Sequence, residues 1–417
     1  MSEKTNRRDF LKIVGAAALG AAIVPKDIFA QRRRKSCVII GAGLAGLAAA
    51  YKLKNANWNV TILDGRDRIG GRVFSYSFPQ NKSLVCELGG EWVGASHERI
   101  QALCKDFSIS LQDHRFAASL LRNGVVSPPR KWDFSPPAKA AFEKLMKRYK
   151  SLTALQQVNL DKLDWWTYLE KIGFSEDDLL LRDLMDSTDF GESIRQVSAY
   201  AAAAEYAESS PENEMDFKMT GGNSRLAEEL TKRIGLENFR LKTLATEINQ
   251  RAGIVSVKTG AEIFNADACV CTAPTASLRR IKFNPPLPAA QSAAAEKLIY
   301  ARIMKNSVLY DERFWKVENF ALVSDTTSHY YFHSTQNQAG KQGILTSYAI
   351  GEKADVLASQ DDARRMKIVA GDLIDYNENA PNLARGIAAY AWQRDEFTEG
   401  SYAVYRPGQW FGIRPIL

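Results

Sequence analysis

A glycine-rich turn between two apolar, strand-like segments is the feature that most constrains the fold of this chain. In SCVIIGAGLAGLAAAYKLKNANWNVTILDG, Gly41, Gly43 and Gly46 form GxGxxG directly after the apolar run CVII. A run of helix formers follows, and the second strand-like segment, NVTIL, ends at Asp64. This order of strand, turn, helix, strand and acidic residue is typical of a Rossmann-like dinucleotide-binding unit.

Each part of this pattern has a physical role. Gly41 permits the tight turn, Gly43 lets the backbone approach a pyrophosphate, and Gly46 allows the helix to pack closely on the strand. The helix N-terminus offers free N–H groups and a positive dipole end to the phosphates. Asp64 lies 18 residues after Gly46, where a carboxylate can accept hydrogen bonds from the ribose hydroxyls.

The charge distribution argues against a nucleic-acid-binding protein. The chain of 417 residues has a net charge of +7, but residues 1–35 alone hold nine Lys and Arg against three acidic residues. The remainder is therefore close to neutral, without the basic excess that a nucleic-acid-binding domain carries. A metal site is not expected either, since the four His have no ligand spacing, and we interpret His329 and His333 as packing or surface residues. The five Cys form no CxxC and are expected to be free.

The N-terminus has the organisation of an export signal. Arg7 and Arg8 precede an apolar run from Ile13 to Val24, and small residues end near Ala30. This apolar run is too short for a stable membrane span, which needs about 20 residues. The Arg pair, followed by DFLK, resembles a twin-arginine signal, which would comprise residues 1–30. Such a signal would bind the twin-arginine export machinery and direct the protein to the periplasm or the exterior. A Sec signal or an uncleaved anchor is the alternative.

Two further segments lead to a family resemblance. DGRDRIGGRV places a second glycine–arginine turn directly after Asp64, and ELGGEWVGASHERI follows from Glu87. Together with TGGNSRLAEELTKRIG at 220–235, these segments resemble the FAD-dependent amine oxidase superfamily, in which Glu usually stands at the position of Asp64. The cofactor-binding residues that the turn and the resemblance imply are Gly41, Ala42, Gly43, Ala45, Gly46, Asp64, Gly65, Arg66, Gly71, Arg72, Gly89, Gly90, Glu91, Trp92 and Ala245.

Lys305 interrupts an apolar, alternating, strand-like segment, IYARIMKNSVLY. The alternation by itself favours a solvated face, with a cavity as the alternative. The resemblance favours the cavity, because amine oxidases carry a lysine at this distance before an FW pair, here Phe314 and Trp315, and that lysine holds a water against the flavin. Lys305 is thereby implied as the catalytic residue.

The segment WQRDEFTEGSY, close to the C-terminus, resembles the family's segment beside the flavin. Tyr402 falls on one wall of the aromatic cage around the substrate nitrogen, and Trp392 is also implied in substrate binding. Ser401 stands where monoamine oxidases have the cysteine that bonds to the flavin. Serine cannot form that thioether, so the resemblance implies non-covalent FAD.

The resemblance implies an α/β fold in which a Rossmann-like FAD-binding domain is interleaved with a substrate domain of mixed sheet and helices. The expected boundaries are 36–96 and 211–288 for the FAD-binding domain, and 97–210, mainly helical, and 289–405 for the substrate domain. Trp165, Trp166 and Tyr200 are interpreted as helix-packing aromatics, with a cavity lining as the alternative. The family's next strand and helix are not found in residues 406–417, which we interpret as a truncated C-terminus.

The implied activity is oxidation of a small amine or amino acid to an imine, with hydride transfer to FAD, reoxidation by O2 to hydrogen peroxide and hydrolysis of the imine. Two alternatives remain open at this point. One is a superfamily dehydrogenase or desaturase that acts on an apolar substrate, and the other is an inactive FAD-binding fragment. The sequence does not distinguish monoamine, polyamine and amino-acid substrates.

Overall fold

The computed structural model describes residues 33–209 and 215–417. The expected export signal, residues 1–30, lies outside the described residues. The strands are β1 (Ser36–Ile40), β2 (Asn59–Leu63), β3 (Ser75–Phe78), β4 (Asn81–Glu87), β5 (Leu111–Asp113), β6 (Ala117–Arg122), β7 (Val125–Ser127), β8 (Phe217–Met219), β9 (Phe239–Arg240), β10 (Ala245–Arg251), β11 (Ile254–Thr259), β12 (Ile263–Ala266), β13 (Ala268–Cys271), β14 (Lys282–Asn284), β15 (Ile299–Tyr300), β16 (Ile303–Tyr310), β17 (Phe320–Ser324), β18 (Tyr330–His333), β19 (Gly343–Ile350), β20 (Ala384–Ala391) and β21 (Ala403–Val404).

Helices connect and cover these strands. They are α1 (Leu44–Asn55), α2 (Glu98–Asp106), α3 (Pro136–Tyr149), α4 (Ala154–Asp161), α5 (Trp165–Lys171), α6 (Glu176–Phe190), α7 (Ala199–Glu208), α8 (Ser224–Ile234), α9 (Thr275–Leu278), α10 (Ala289–Lys297), α11 (Gly351–Ala358), α12 (Asp362–Gly371), α13 (Ala380–Leu383) and α14 (Gln409–Gly412). No helix in the described part of the chain is long and apolar enough to cross a membrane.

The predicted strand–turn–helix–strand unit is confirmed. β1, β2, β9 and β13 form a parallel sheet in the order β13-β1-β2-β9. Strands of parallel sheets are covered on both faces, which explains the continuous apolar runs. Ile39, Ile62 and Leu47 of α1 are fully buried between this sheet and α8. A second sheet, β12-β11-β10-β14, covers the other side, where Val257 packs against the first sheet. Its strands are antiparallel except for β10 and β14, which are parallel.

The second layer is a large mixed sheet with the order β20-β16-β19-β18-β17-β6-β7. One face packs against the helices α3 to α7, and the other packs against α11 and α12. Every residue of β16 and β19 is buried as a result. The expectation of a solvated face along β16 is therefore wrong, because helices cover the sheet on both sides.

Residues 97–210 are less uniformly helical than expected. They contribute β6 and β7 to the large sheet, with β6 parallel to β17, and β5 pairs with β8. The helices α3 to α7 nevertheless form most of this segment. Trp165, Trp166 and Tyr200 lie buried among them, so the interpretation as packing aromatics is confirmed.

Candidate functional site

A cavity of about 290 Å³ opens at the carboxyl ends of β1 and β2, where ligands bind in open α/β sheets. Nine of the predicted cofactor-binding residues line it: Gly41, Gly43, Ala45, Asp64, Gly65, Arg66, Gly71, Arg72 and Ala245. These residues come from both sequence segments that were expected to build the FAD-binding domain. We call this space the dinucleotide cavity.

The glycines of the turn are required by close packing. A Cβ placed at Gly46 would lie 1.9 Å from the carbonyl oxygen of Gly41, so α1 approaches β1 more closely than any side chain allows. Gly41 itself has φ = +106°, which favours glycine. Gly43 is the N-cap of α1 and supplies no side chain to satisfy the first N–H groups of the helix. The turn therefore presents free backbone donors to the cavity, as a pyrophosphate requires.

The Asp64 carboxylate is held by backbone N–H groups, one of which belongs to the glycine turn. Its Oδ2 accepts a hydrogen bond from the Ala42 N–H at 2.7 Å, and its Oδ1 accepts one from the Arg66 N–H at 2.8 Å. The side chain is 7% exposed and lines the cavity. A carboxylate has about four acceptor positions, so Asp64 can still accept from a ribose hydroxyl. Ala42 does not line the cavity itself, and its N–H orients the Asp64 carboxylate through the hydrogen bond to Oδ2.

Sequence analysis missed several residues of the cavity that lie far along the chain from the glycine turn. The Arg66 guanidinium lies 2.5 Å from the Asp395 carboxylate and stacks over the Phe397 ring at 4.7 Å. The same ring faces Gly65, where a Cβ would lie 2.4 Å from it. The aromatic character of the segment around Phe397 was the available signal. Thr272, Ser277, Arg280 and Thr398 also line the cavity.

The second glycine–arginine turn joins this cavity to the segment near the C-terminus. Arg72 Nη1 donates to the carbonyl oxygen of Ser401 at 2.6 Å. The Arg72 carbonyl oxygen accepts from the Gly90 N–H at 2.9 Å, and a Cβ at Gly89 would lie 2.1 Å from it. The segment Glu87–Trp92 thus packs against the turn, although Gly89, Gly90, Glu91 and Trp92 do not line the dinucleotide cavity itself.

Lys305 is buried and belongs to an ionic network. Its ammonium lies 2.6 Å from Glu91 Oε2, and the other Glu91 oxygen contacts His114 Nε2 at 3.0 Å and Lys218 Nζ at 3.4 Å. Lys218 also lies 3.9 Å from Glu87. The rings of Trp92 and Phe332 flank the Lys305 ammonium at 5.3 and 5.4 Å. Sequence analysis missed Lys218 and His114, because local sequence carries no signal for ion pairs between remote segments.

The charges of this network compensate one another. Burial by itself raises the pKa of Glu91, but Lys305, Lys218 and His114 together hold that pKa well below its usual range. Burial lowers the pKa of Lys218, yet Glu91 and Glu87 raise it further than burial lowers it. Burial also lowers the pKa of His114, which is consistent with a neutral ring. A buried carboxylate and ammonium are tolerated only in such pairs.

Tyr402 lines a second cavity, and Trp392 lies elsewhere. The Tyr402 hydroxyl shares a hydrogen bond with the Tyr348 hydroxyl at 3.0 Å. Trp392 is 2% exposed, donates its indole N–H to the Leu88 carbonyl oxygen at 2.8 Å and packs against Tyr390. Contact of Trp392 with a substrate stays a prediction. In the structure Trp392 stabilises the backbone at Leu88 through this hydrogen bond.

The histidines and cysteines have structural surroundings. His333 is buried and contacts the Glu318 carbonyl oxygen at 2.8 Å and the Thr335 hydroxyl at 3.0 Å, and His329 is 2% exposed. Packing is therefore the correct interpretation of both, and a surface position is wrong. The five cysteines are free. Within the described residues, no group of three or more His, Cys, Asp or Glu is arranged to hold a metal ion.

Comparisons with known proteins agree with this geometry. Residues 44–415 match the family model described as flavin containing amine oxidoreductase. An L-amino-acid oxidase of Crotalus adamanteus is 25% identical, over 93% of this chain and 81% of that protein. A probable flavin-containing monoamine oxidase A of Dictyostelium discoideum is 23% identical, over 88% of this chain and 86% of that protein.

Solved structures share the fold. Cyclohexylamine oxidase from Brevibacterium oxydans IH-35A superposes with a TM-score of 0.80 at 19% identity and covers 92% of this chain and 90% of its own. Putrescine oxidase bound to putrescine superposes with a TM-score of 0.77 at 19% identity, covering 90% of this chain and 89% of its own. Because the family model spans nearly all of the described chain and the glycine turn fits the cofactor, this protein belongs to the flavin-containing amine oxidoreductases, which are FAD-dependent enzymes that act on CH–NH2 donors.

Proposed function

We propose that this protein oxidises a small amine, with FAD held non-covalently in the dinucleotide cavity and O2 as the electron acceptor. The observation that carries the proposal is the hydrogen bond from Arg72 to the Ser401 carbonyl oxygen. Arg72 lines the dinucleotide cavity, and Tyr402, the next residue after Ser401, lines the second cavity. The backbone at Ser401 and Tyr402 therefore connects the walls of the two cavities, and a cofactor and a substrate would react near this point.

Different residues of the dinucleotide cavity would bind different parts of FAD. The free N–H groups at the start of α1 would bind the pyrophosphate, Asp64 would accept from the ribose, and Arg66 and Arg72 would supply positive charge to the same cavity. Ala245 also lines this cavity and would contact the adenine. When bound, FAD supplies the oxidising chemistry, taking a hydride from the amine carbon and passing the electrons to O2 to give hydrogen peroxide.

Two residues would act on the substrate side. Tyr402 offers an aromatic face to the amine, with its hydroxyl fixed by Tyr348. We assign Lys305 as the residue that positions a water. Lys305 lies on the buried strand β16, and its ammonium is held in place by the carboxylate of Glu91. Rigid positioning of reacting groups is worth a large part of an enzymatic rate enhancement. The imine that leaves the site hydrolyses to a carbonyl compound and ammonia.

The interleaved organisation is part of the proposal. Residues 36–96 and 211–288 provide all four strands of the parallel sheet, while 97–210 and 289–405 provide the strands of the large mixed sheet. Each sheet thus draws on two separate stretches of chain, as expected for two interleaved domains.

The test is a visible spectrum of the purified protein followed by anaerobic addition of amines, amino acids and polyamines. We expect flavin absorbance that is bleached by an amine, and peroxide release when oxygen is admitted. A protein without flavin absorbance, or one reduced only by an apolar polyene, would overturn the proposal.

We also propose export through the twin-arginine pathway, which rests on residues outside the described part of the chain. The support is the pair Arg7 and Arg8 before a short apolar run. Replacing both by Lys should retain the protein in the cytoplasm, whereas Lys26→Arg should leave export unchanged. Periplasmic recovery of the double variant at the wild-type level would contradict this route.

A further inference from the structure

The second cavity, which Tyr402 lines, has a volume of about 330 Å³. It lies between the C-terminal end of α6, one side of α7 and the chain around β21. We call it the substrate cavity. Its lining consists of Asp189, Phe190, Val197, Ala201, Glu205, Tyr402, Ala403, Val404, Tyr405 and Trp410.

Two carboxylates face this space without a cationic partner. Asp189 is exposed to the cavity, and its Oδ2 accepts one long hydrogen bond, at 3.4 Å, from the Tyr206 hydroxyl. Glu205 is likewise exposed. Within the described residues, neither carboxylate has a Lys or Arg within ion-pair distance, and the nearby Arg182 pairs with Asp186 at 3.2 Å. Neither acid of the substrate cavity therefore has a cation paired with it.

The surroundings of Asp189 make this charge costly. Solvent reaches Asp189 through the cavity, but the protein packed around its carboxyl group removes enough hydration to raise the pKa of Asp189 to about 7, and the carboxylates of Asp186 and Glu205 add to the shift by repulsion. A cation brought into the cavity removes both penalties, because it replaces lost hydration and screens the neighbouring acids. The empty cavity is thus complementary to a positive charge.

The aromatic walls point to the same ligand charge independently of the acids. Tyr402, Tyr405 and Trp410 present rings to the cavity, and the Tyr405 and Trp410 rings pack edge to face at 5.3 Å. The faces of aromatic rings carry partial negative charge and attract ammonium groups. Arg414 stacks on the Trp410 ring at 4.2 Å. Among the described lining residues themselves there is no Lys or Arg to pair with the carboxylate of an amino acid.

We propose that the substrate of this enzyme is an aliphatic diamine or polyamine, whose distal ammonium binds Asp189 and Glu205 while its reacting amine lies against Tyr402. This inference rests on the proposed function and adds the substrate class. Tyr402 marks the reacting end, because its neighbour Ser401 is bonded to Arg72 of the dinucleotide cavity. The two carboxylates come from different helices, α6 and α7, and meet only in the folded chain.

The test compares three substrates of similar length: cadaverine, pentylamine and L-norleucine. We expect kcat/KM for cadaverine to exceed that for pentylamine by at least about tenfold, since a charge-assisted hydrogen bond commonly contributes that factor. Asp189→Asn and Glu205→Gln should each lower kcat/KM for cadaverine by about 10- to 100-fold and change that for pentylamine by less than about threefold. Glu176→Gln, on the exposed first turn of the same helix as Asp189, is the matched control and should change neither value.

Equal kcat/KM for the two amines, a preference for L-norleucine, or equal losses on both amines in the two variants would overturn the inference. A calorimetric titration separates it from the proposed function. If no compound reduces the flavin but cadaverine binds more tightly than pentylamine, and Asp189→Asn removes the difference, the cation site stands and the proposed oxidation fails. If pentylamine reduces the flavin and cadaverine shows no advantage in binding or turnover, the oxidation stands and the cation site fails.

Discussion

The ammonium of Lys305 lies 2.6 Å from the carboxylate of Glu91, and both side chains are buried. The two residues are 214 positions apart in the sequence. Glu91 follows the second glycine–arginine turn, and Lys305 lies in the middle of β16. The pair therefore links the segment beside the dinucleotide cavity to the large sheet, and its charges fix how these two parts of the molecule meet.

Replacing Lys305 by Met should destabilise the protein, because Glu91 would keep its charge in a buried site with less compensation. Breaking a buried ion pair typically costs about 3–5 kcal/mol of unfolding free energy. The double variant Glu91→Gln with Lys305→Met should recover most of this loss. It removes one positive and one negative charge, so that Lys218 and Glu87 remain as a balanced pair. Denaturant unfolding of the two single variants and the double variant measures the coupling. Simple addition of the single losses in the double variant would contradict it.

The same variants separate stability from activity. If Lys305 positions a water at the reacting centre, flavin reduction by the amine should slow by about 100-fold in Lys305→Met and stay slow in the more stable double variant. Stopped-flow reduction of folded, flavin-loaded protein is the measurement. A double variant that regains the wild-type reduction rate would show that Lys305 has only a structural role.

Gly46→Ala should yield protein with little bound flavin. The added Cβ would lie 1.9 Å from the Gly41 carbonyl oxygen, so α1 must move away from the turn that holds the phosphates. The ratio of flavin to protein absorbance after purification checks this. Gly371→Ala is the matched control, because apart from its chain neighbours and the backbone of its own helix no described atom lies within 4 Å of the added Cβ, and the residue ends a helix. The control should keep its flavin and gain up to about 1 kcal/mol of stability.

The flavin of the wild-type protein should leave the polypeptide on denaturation. Ser401 stands beside the proposed flavin end, and its hydroxyl donates to the Ala301 carbonyl oxygen at 3.3 Å. A serine there offers no thiol for a thioether. Heat or acid precipitation followed by filtration should place the yellow colour in the filtrate. Fluorescence that stays with the chain on a denaturing gel would show a covalent bond at another residue.

Asp189→Asn should stabilise the protein at alkaline pH and have little effect under acid conditions. The folded pKa of Asp189 is about 7, against an ordinary value of 3.8, so folding favours its protonated form. The stabilisation that Asp189 gives the folded state is complete below its ordinary pKa of 3.8 and is lost as the pH rises through 7. The groups that face this carboxylate are Arg182, Asp186, Glu205, Tyr206, Tyr330, Tyr348 and Tyr402.

The difference in Tm between Asp189→Asn and wild type should therefore grow between about pH 4 and pH 8. Taking the difference at each pH cancels the other titrating groups that the two proteins share. A constant difference across this range would show that Asp189 has an ordinary pKa in the folded protein. Thermal melts without substrate are needed, since a bound diamine would hold Asp189 ionised.

The aromatic segment near the C-terminus shows where sequence reasoning was incomplete. Its resemblance to the flavin-side segment of the family indicated Tyr402, which lines the second cavity, and contact of Tyr402 with a substrate stays a prediction. Phe397 was noticed only as an aromatic, but its ring packs against Gly65 and under Arg66 in the dinucleotide cavity. Contact of Trp392 with the substrate also stays a prediction, and in the structure its buried indole N–H donates to the Leu88 carbonyl oxygen. Spacing along an irregular segment does not specify which way each ring turns.

The sequence by itself determined the dinucleotide-binding unit, because strand, glycine turn and helix depend on backbone conformation and on local hydrophobic periodicity. It also determined the family, through motifs whose glycines are required by close packing. Only the tertiary structure decided the partners of the charged residues. Lys305 is buried because helices cover both faces of its sheet. Asp189 and Glu205 share one cavity because the C-terminal end of α6 contacts α7, where Tyr206 packs against Phe190 and donates to Asp189. Ion pairing and burial depend on distances between remote segments, which local sequence does not encode.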